Sequence, residues 1–213
     1  MATKERPALH PGISSLGRGR TVYCQGDVGN CWYEVARGFL RLCHYFGDGR
    51  RQVLLFAGPG DAFGFETGLR QYSAETLTEV ELVRHSQYDE CTQLLQQTSW
   101  SGPHPALRRA LKAVEDTMRL FSYGNATERI AAFLLQFAAY SEPSDIIALP
   151  MSRQDLADHL SLTMHTVSRS ISELARRGYF ELEKPDRIRI TDQEKLEGLV
   201  GFEKIAMHDR LVA

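Results

Sequence analysis

His165, Ser168, Arg169 and Ser172 fall at spacings of three, four and seven residues, so a helix through them would carry all four on one face. A guanidinium among short donors and acceptors, near a helix N-terminus, suits contact with the edges of DNA bases. The same residues would also serve as the solvated face of an ordinary helical hairpin. Two short helices must position them. Ser152 with Asp155 three residues on is a capping-box start, which predicts a first helix over Arg153 to Leu160. Ser161-Leu162 breaks the pattern, Thr163 caps a second helix, and Gly178 is the residue type favoured just past its end. Val167, Ile171 and Leu174 fall at i, i+4 and i+7 and form the buried stripe opposite the polar face.

Enzyme chemistry finds little footing elsewhere. The patterns H-E-x-x-H, C-x-x-C, G-x-G-x-x-G and the P-loop are absent, and G-P-G-D-A-F-G (58–64) misses the dinucleotide spacing. A metal-dependent barrel enzyme needs an H-x-H pair, whereas His44 is followed by Tyr45-Phe46. Cys24, Cys31, Cys43 and Cys91 lack the crowding that lets thiolates converge on a cluster, and they read as free thiols. His44 and His85 are the two residues open to a haem reading. The expectation is a non-enzyme with no metal and no cofactor.

The chain has 213 residues, enough for two domains, and a formal net charge of -2, so any affinity for nucleic acid must come from local patches. Pro150 to Thr191 holds seven Lys+Arg against six Asp+Glu, while Gly60 to Trp100 holds two against seven. The sign suits a DNA-binding C-terminal end. Without an apolar signal core at the start or a run long enough for a membrane span, the expected compartment is the cytoplasm.

Taken in order, residues 1–20 read as a flexible N-terminus rich in Gly, Pro and Arg. Residues 21–102 hold a β-roll: T-V-Y-C, C-W-Y-E-V-A, F-L-R-L-C-H-Y-F, Q-V-L-L-F, A-E-T-L-T and E-V-E-L-V-R-H read as strands, with glycine-rich turns between them. Many short strands predict a small antiparallel barrel or jelly roll. D-E-C-T-Q-L-L-Q-Q-T (89–98) is weakly helical. Residues 103–124 form a helix in which Leu107, Leu111, Val114, Met118 and Phe121 make an a/d seam over two heptads, suited to pairing with a second copy or to packing on its own domain. Residues 125–213 resume with an apolar helix and lead into the two-helix motif. Y-F-E-L-E and R-I-R-I-T then flank K-P-D as a hairpin, a wing from which Lys184, Arg187 and Arg189 reach phosphates. The last residues, 192–213, read as a short helix and a tail.

L-P-M-S-R-Q-D-L-A-D-H-L-S-L-T-M-H-T-V-S-R (149–169), P-G-D-A-F-G-F-E (59–66) and A-T-E-R-I-A-A-F-L (126–134) resemble the Crp/Fnr superfamily of bacterial transcription regulators. D-G-R-R-Q-V (48–53) and Y-S-A-E-T-L (72–77) are most similar to its FixK/FnrN branch, whose members commonly activate microaerobic and nitrogen-related genes. The resemblance implies an α+β fold: an N-terminal antiparallel β-roll of the cyclic-nucleotide-binding type, a long dimerisation helix and a C-terminal winged helix-turn-helix. It implies a homodimer on a TTG…CAA-like pseudo-palindrome, with Arg169 bidentate on guanine and Ser168 against a thymine. The residues expected at DNA are Ser152, Arg153, Thr163, His165, Thr166, Ser168, Arg169 and Ser172, with Lys184 and Arg187 of the wing. RNA polymerase is the further partner implied, through loops around Asp48 to Arg51.

Three departures bear on the implied function. His165 stands where the family usually has Glu, which opens the identity of the base it reads. Ser161 stands where the turn usually has Gly, so a left-handed residue there costs on the order of 1 kcal/mol. The effector pocket would be lined by Gly64, Glu66, Tyr72 and Ser73, yet Tyr72-Ser73 replaces the Arg-Ser pair that neutralises a cyclic phosphate, and Arg70 lies two positions early. A haem- or cyclic-nucleotide-dependent pocket on the same fold, or a C-terminal domain that binds protein, are the alternatives.

Overall fold

The computed structural model describes residues 12–86, 105–140 and 146–201. Ten strands build the N-terminal roll: β1 (Ile13–Leu16), β2 (Thr21–Tyr23), β3 (Val28–Gly29), β4 (Cys31–Arg37), β5 (Leu40–Tyr45), β6 (Arg51–Ala57), β7 (Ala62–Phe63), β8 (Gly68–Leu69), β9 (Ser73–Thr76) and β10 (Val80–Ser86). They form two antiparallel four-stranded sheets, ordered β1-β10-β4-β7 and β2-β9-β5-β6, with β3-β8 as a separate ladder. Alternation sets the inner faces: Val35, Leu40, Leu42, Phe63, Val80 and Leu82 are buried together between the sheets. Gly38 allows the turn from β4 to β5, since a Cβ there would lie 2.1 Å from the Glu79 carbonyl oxygen and its φ is +83°.

Helix α1 (Pro105–Phe121) opens on a proline whose missing N–H is no loss in a first turn. It buries Ala106, Asp116 and Leu120 toward the protein. The opposite face, Leu107, Leu111, Val114, Met118 and Phe121, stays exposed. Helix α2 (Ala126–Ala138) is capped by the Asn125 side chain, which accepts from the Glu128 N–H. It is apolar nearly all round because it is the centre of the second core, where Ile130, Leu134 and Phe137 meet Leu156, Leu160, Ile171 and Leu174.

The C-terminal motif follows with α3 (Arg153–Leu160) and α4 (Met164–Arg176), then β12 (Phe180–Lys184), β13 (Arg187–Ile190) and α5 (Gln193–Val200). Ser152 and Asp155 close the expected capping box. Ser161 adopts φ 54°, ψ 46° and is the one non-glycine residue with positive φ among those described, so the turn takes the strained form expected of it.

Two elements differ from the sequence reading. Residues 1–20 were expected to be irregular, but β1 pairs with β10 in the register Ile13↔Val83 to Leu16↔Val80. It lies at a sheet edge and is held mainly by backbone bonds, with Leu16 alone packed on the core and Ile13 66% exposed, so composition carries little trace of it. The wing sheet has a third strand, β11 (Ile146–Ala148), paired with β13 and too short to show a period. The weakly helical stretch 89–98, with Cys91, and most of the C-terminal tail lie outside the described residues. Among the described residues no helix is long and apolar enough to cross a membrane.

Helix α3 rests against β6, and His159 is buried at that junction, its Nδ1–H donating to the Val53 carbonyl at 3.1 Å. Burial pushes the imidazole down to about 4, outweighing the carbonyl that favours the charged form. The unfolded chain takes up this proton near pH 6.5 while the folded chain resists it to about pH 4, so the stability due to neutral His159 is lost as pH falls through that window. Denaturant unfolding of His159→Gln between pH 6.5 and 4 is expected to show a shallower loss than wild type, by up to about 3 kcal/mol. Parallel curves would assign the acid sensitivity elsewhere.

Candidate nucleic-acid interface

The Thr163 hydroxyl accepts from the Thr166 N–H at 3.1 Å and lies 2.8 Å from the Thr166 hydroxyl, which fixes the first turn of α4. Val167, Ser170, Ile171 and Leu174 turn inward. His165, Ser168, Arg169 and Ser172 turn outward together, as the spacing predicts. No hydrogen bond or ion pair within the described residues engages the side chains of His165, Ser168 or Arg169. The Ser172 hydroxyl donates to the Ser168 carbonyl at 3.0 Å and keeps its acceptor capacity outward. Further along the helix Arg176 is paired with Glu173 at 2.7 Å. The unpaired cation is therefore in the first half of the helix, where the macrodipole's positive end adds to it. Met164, which the sequence reading passed over, is exposed at the first position of α4 beside His165.

The other expected DNA residues divide. Ser152 is exposed, with its hydroxyl committed to the cap of α3. Lys184 and Arg187 are exposed at the wing tip and their side chains make no hydrogen bond to the described residues. Arg189 is tied to Glu183 across the wing. Arg153 is half-buried and donates from Nη2 to the Pro185 carbonyl at 2.6 Å, bracing the wing turn against α3. It is placed to hold the wing rather than to meet phosphate.

Residues 128–199 match the model of the Crp-like helix-turn-helix domain, and residues 13–98 match that of the cyclic nucleotide-binding domain. Nitrogen fixation regulation protein FixK of Rhizobium meliloti (strain 1021) is 36% identical over 191 residues, 88% of this chain and 86% of that protein. The chain belongs to the Crp/Fnr family. A second Crp/Fnr relative, FixK of Azorhizobium caulinodans, is 34% identical over 198 residues, 86% of this chain and 77% of its own. Among solved Crp/Fnr structures, FixK2 from Bradyrhizobium japonicum superposes with a TM-score of 0.79 at 28% identity, covering 90% of this chain and 98% of that one. Both the roll and the winged motif thus have counterparts in one chain of nearly the same extent.

In a Crp/Fnr chain the roll is where an effector is sought, and here the roll holds a buried arginine. Arg70 is 3% exposed. Its Nη1 donates to the Gly64 carbonyl at 2.5 Å and meets Glu66 at 3.1 Å, and its Nη2 donates to the Cys31 carbonyl at 2.5 Å. The guanidinium lies over the Tyr23 ring, 4.3 Å from its centroid, and a Cβ on Gly29 or Gly64 would press on it at 3.0 Å. Tyr72 packs on Tyr23 with ring centroids 6.0 Å apart, and burial together with the Glu66 carboxylate pushes its phenol up to about 12. The Ser73 hydroxyl accepts from the Gln25 N–H at 2.9 Å. Gly64 and Glu66 thus hold an internal cation and Tyr72 packs on the ring beneath it, an arrangement not legible when Arg70 is read only as two positions early. The signal was present: Glu66 stands four residues before Arg70, and the two glycines leave room for a guanidinium. Arg70→Met is expected to lower stability by about 3 kcal/mol, because the buried Gly64 and Cys31 carbonyls and the Glu66 carboxylate all lose the guanidinium. A urea midpoint unchanged from wild type would contradict this packing.

The remaining candidates for sensor chemistry stand apart. His44 on β5 contacts the Gln71 carbonyl at 3.0 Å, while His85 on β10, in the other sheet, stacks on Trp32 with centroids 3.8 Å apart. Cys31 and Cys43 are buried and Cys24 is exposed. Burial, with Glu75 nearby, pushes the Cys43 thiol up to about 12, which makes it a small apolar residue rather than a reactive one. Among the described residues no group of three His, Cys, Asp or Glu side chains could hold a metal ion.

Proposed function

We propose that the protein is a sequence-specific, DNA-binding transcription regulator, most often an activator, that works as a homodimer in the cytoplasm and not as an enzyme. The observation that carries this reading is the outward face of α4, where His165, Ser168 and Arg169 have no partner within the described residues. A guanidinium and two short polar groups aligned at a helix start are the equipment with which a recognition helix reads base edges. Arg169 makes the bidentate guanine contact, Ser168 touches an adjacent thymine, and Thr163, Thr166 and Ser172 approach the flanking groove. Lys184 and Arg187 contact phosphate and set register, while Ser152, whose N–H and hydroxyl both donate to Asp155, serves as the cap of α3. The site read is a TTG…CAA-like pseudo-palindrome, and the gene context suggested by the FixK relatives is microaerobic or nitrogen-related control.

The exposed seam of α1 pairs with its copy, which places two α4 helices one DNA turn apart. The roll is a scaffold whose internal Arg70 takes the space of a diffusible effector. A small molecule that raised specific DNA affinity tenfold or more would overturn that part of the reading. The β5–β6 turn, where Asp48 and Arg50 pair in the open at 2.7 Å, is the surface offered to RNA polymerase. Binding to a TTG…CAA duplex and to a scrambled duplex at about 150 mM salt tests the reading directly. The regulator should prefer the specific duplex by about a thousandfold or more. Equal affinity for both, or no affinity for either, would favour a C-terminal domain that binds protein.

A further inference from the structure

The recognition helix is joined to the roll through α3, and the contact is a chain of charges. Asp155 divides its carboxylate between two tasks. Its Oδ2 accepts from the Ser152 N–H at 3.0 Å and hydroxyl at 2.8 Å, closing the cap of α3. Its Oδ1 accepts from Arg41 at 2.5 Å and from Arg51 at 2.7 Å, both on the roll. Arg51 also donates from Nε and Nη2 to Asp158 Oδ2, at 2.7 and 2.5 Å. Arg41 is held on its far side by Glu75 at 2.7 Å, and Gln154 holds Asp158 at 2.6 Å. The Asp155 side chain is 4% exposed and the two arginines about a fifth exposed, so water screens the cluster weakly. Burial raises the cost of ionising Asp155, yet the Ser152 bonds and the two guanidiniums hold its carboxyl below the usual range.

Beside the clamp the junction holds neutral hydrogen bonds, from His159 to the Val53 carbonyl at 3.1 Å and from Gln52 to the His159 carbonyl at 3.4 Å, and apolar contacts. Phe56 of the roll meets Phe133 of α2 and His159 of α3 edge-on, and apolar contacts of that kind tolerate rotation. Fork-shaped, charge-assisted bonds do not. Helices α3 and α4 share a core through Leu156, Leu160, Val167 and Ile171, so a tilt of α3 on the roll is carried to the recognition face. We propose that Arg41 and Arg51 are positioning residues for DNA reading, fixing the aim of each recognition helix by clamping Asp155 and Asp158 of α3 to the roll. This rests on the DNA-binding reading above. The clamp touches no base. It decides whether two arms are met at once, because each winged motif alone can turn to suit a single arm while a dimer must present both in one geometry.

The test uses full-length protein and three duplexes: the two-arm site, the same site with one base pair inserted between the arms, and a single-arm site. Arg51→Ala should lose about tenfold or more on the two-arm site while single-arm affinity stays within about twofold of wild type. Its discrimination against the inserted spacing should shrink as well. The exchange Arg51→Asp with Asp158→Arg rebuilds a pair of reversed polarity and should recover most of the loss. Equal losses on two-arm and single-arm duplexes, with no recovery in the exchange, would make Arg51 a general support of folding and overturn the proposal. Unchanged two-arm affinity and spacing preference would overturn it too. A wild-type protein that prefers no two-arm site would instead defeat the DNA-binding reading, and the wild-type arm of the experiment separates the two failures.

Discussion

Arg169→Ala is expected to abolish preference for the specific duplex while leaving the protein folded and dimeric. The guanidinium is exposed and makes no hydrogen bond or ion pair within the described residues, so removing it costs the protomer only a longer-range attraction to Glu173. A bidentate Arg–guanine contact discriminates against the wrong base by about 1–3 kcal/mol, and a dimer makes it twice, for about 2–6 kcal/mol in all. That corresponds to a loss between about thirtyfold and twenty-thousandfold on the specific duplex. Affinity for a scrambled duplex should change little beyond the removal of one positive charge per arm. Lys184→Ala is the contrasting control: it should weaken both duplexes alike and reduce the salt dependence. Fluorescence anisotropy at fixed salt reads all of these. A variant that keeps its preference for the specific duplex would remove Arg169 from the recognition face.

The second large effect is expected at the seam. Leu111 and Met118 are 58% and 68% exposed, the most open of its five apolar residues, so charged substitutions there cost the single protomer little. If two copies pair along α1, each side chain becomes buried and contributes about 1.5–3 kcal/mol, and both copies contribute. Leu111→Glu with Met118→Glu also sets like charges against each other across the pair. Sedimentation equilibrium at micromolar concentration should find a monomer where wild type is a dimer, with circular dichroism unchanged. Two-arm DNA affinity should then fall by about a hundredfold or more, since the second arm is no longer tethered to the first. A double variant that remains dimeric would show that the seam packs on another surface.

What could be read from the residues was governed by local chemistry. The α3–α4 motif was legible because its signals are all local: Ser152 with Asp155, the left-handed Ser161, the Thr163 cap, the stripe Val167-Ile171-Leu174 and Gly178. The seam was legible through its period, and the choice between pairing and self-packing was not, because that depends on which face the roll covers. Ala106 packs on the roll and Leu120 in the second core, which leaves Leu107, Leu111, Val114, Met118 and Phe121 outside. Edge strand β1 and strand β11 carried no readable pattern, being short and held by backbone pairing. Arg41 and Arg51 were missed for another reason. Their partners on α3 lie far along the chain: Arg51 and Asp158 are 107 residues apart in sequence, and only the folded chain brings them to 2.5 Å. Arg153 was among the residues expected at DNA on the resemblance, and its reach back to the Pro185 carbonyl likewise depends on how the wing folds over it.

Selection of binding sites from a random duplex pool by the purified full-length protein tests the central claim most directly. The account predicts enrichment of two inverted TTG…CAA-like arms, their centres one turn of DNA apart, with a guanine fixed at the position met by Arg169 and a changed or relaxed preference where His165 replaces the usual Glu. A pool with no enriched sequence, or enrichment of a motif without paired arms, would contradict it.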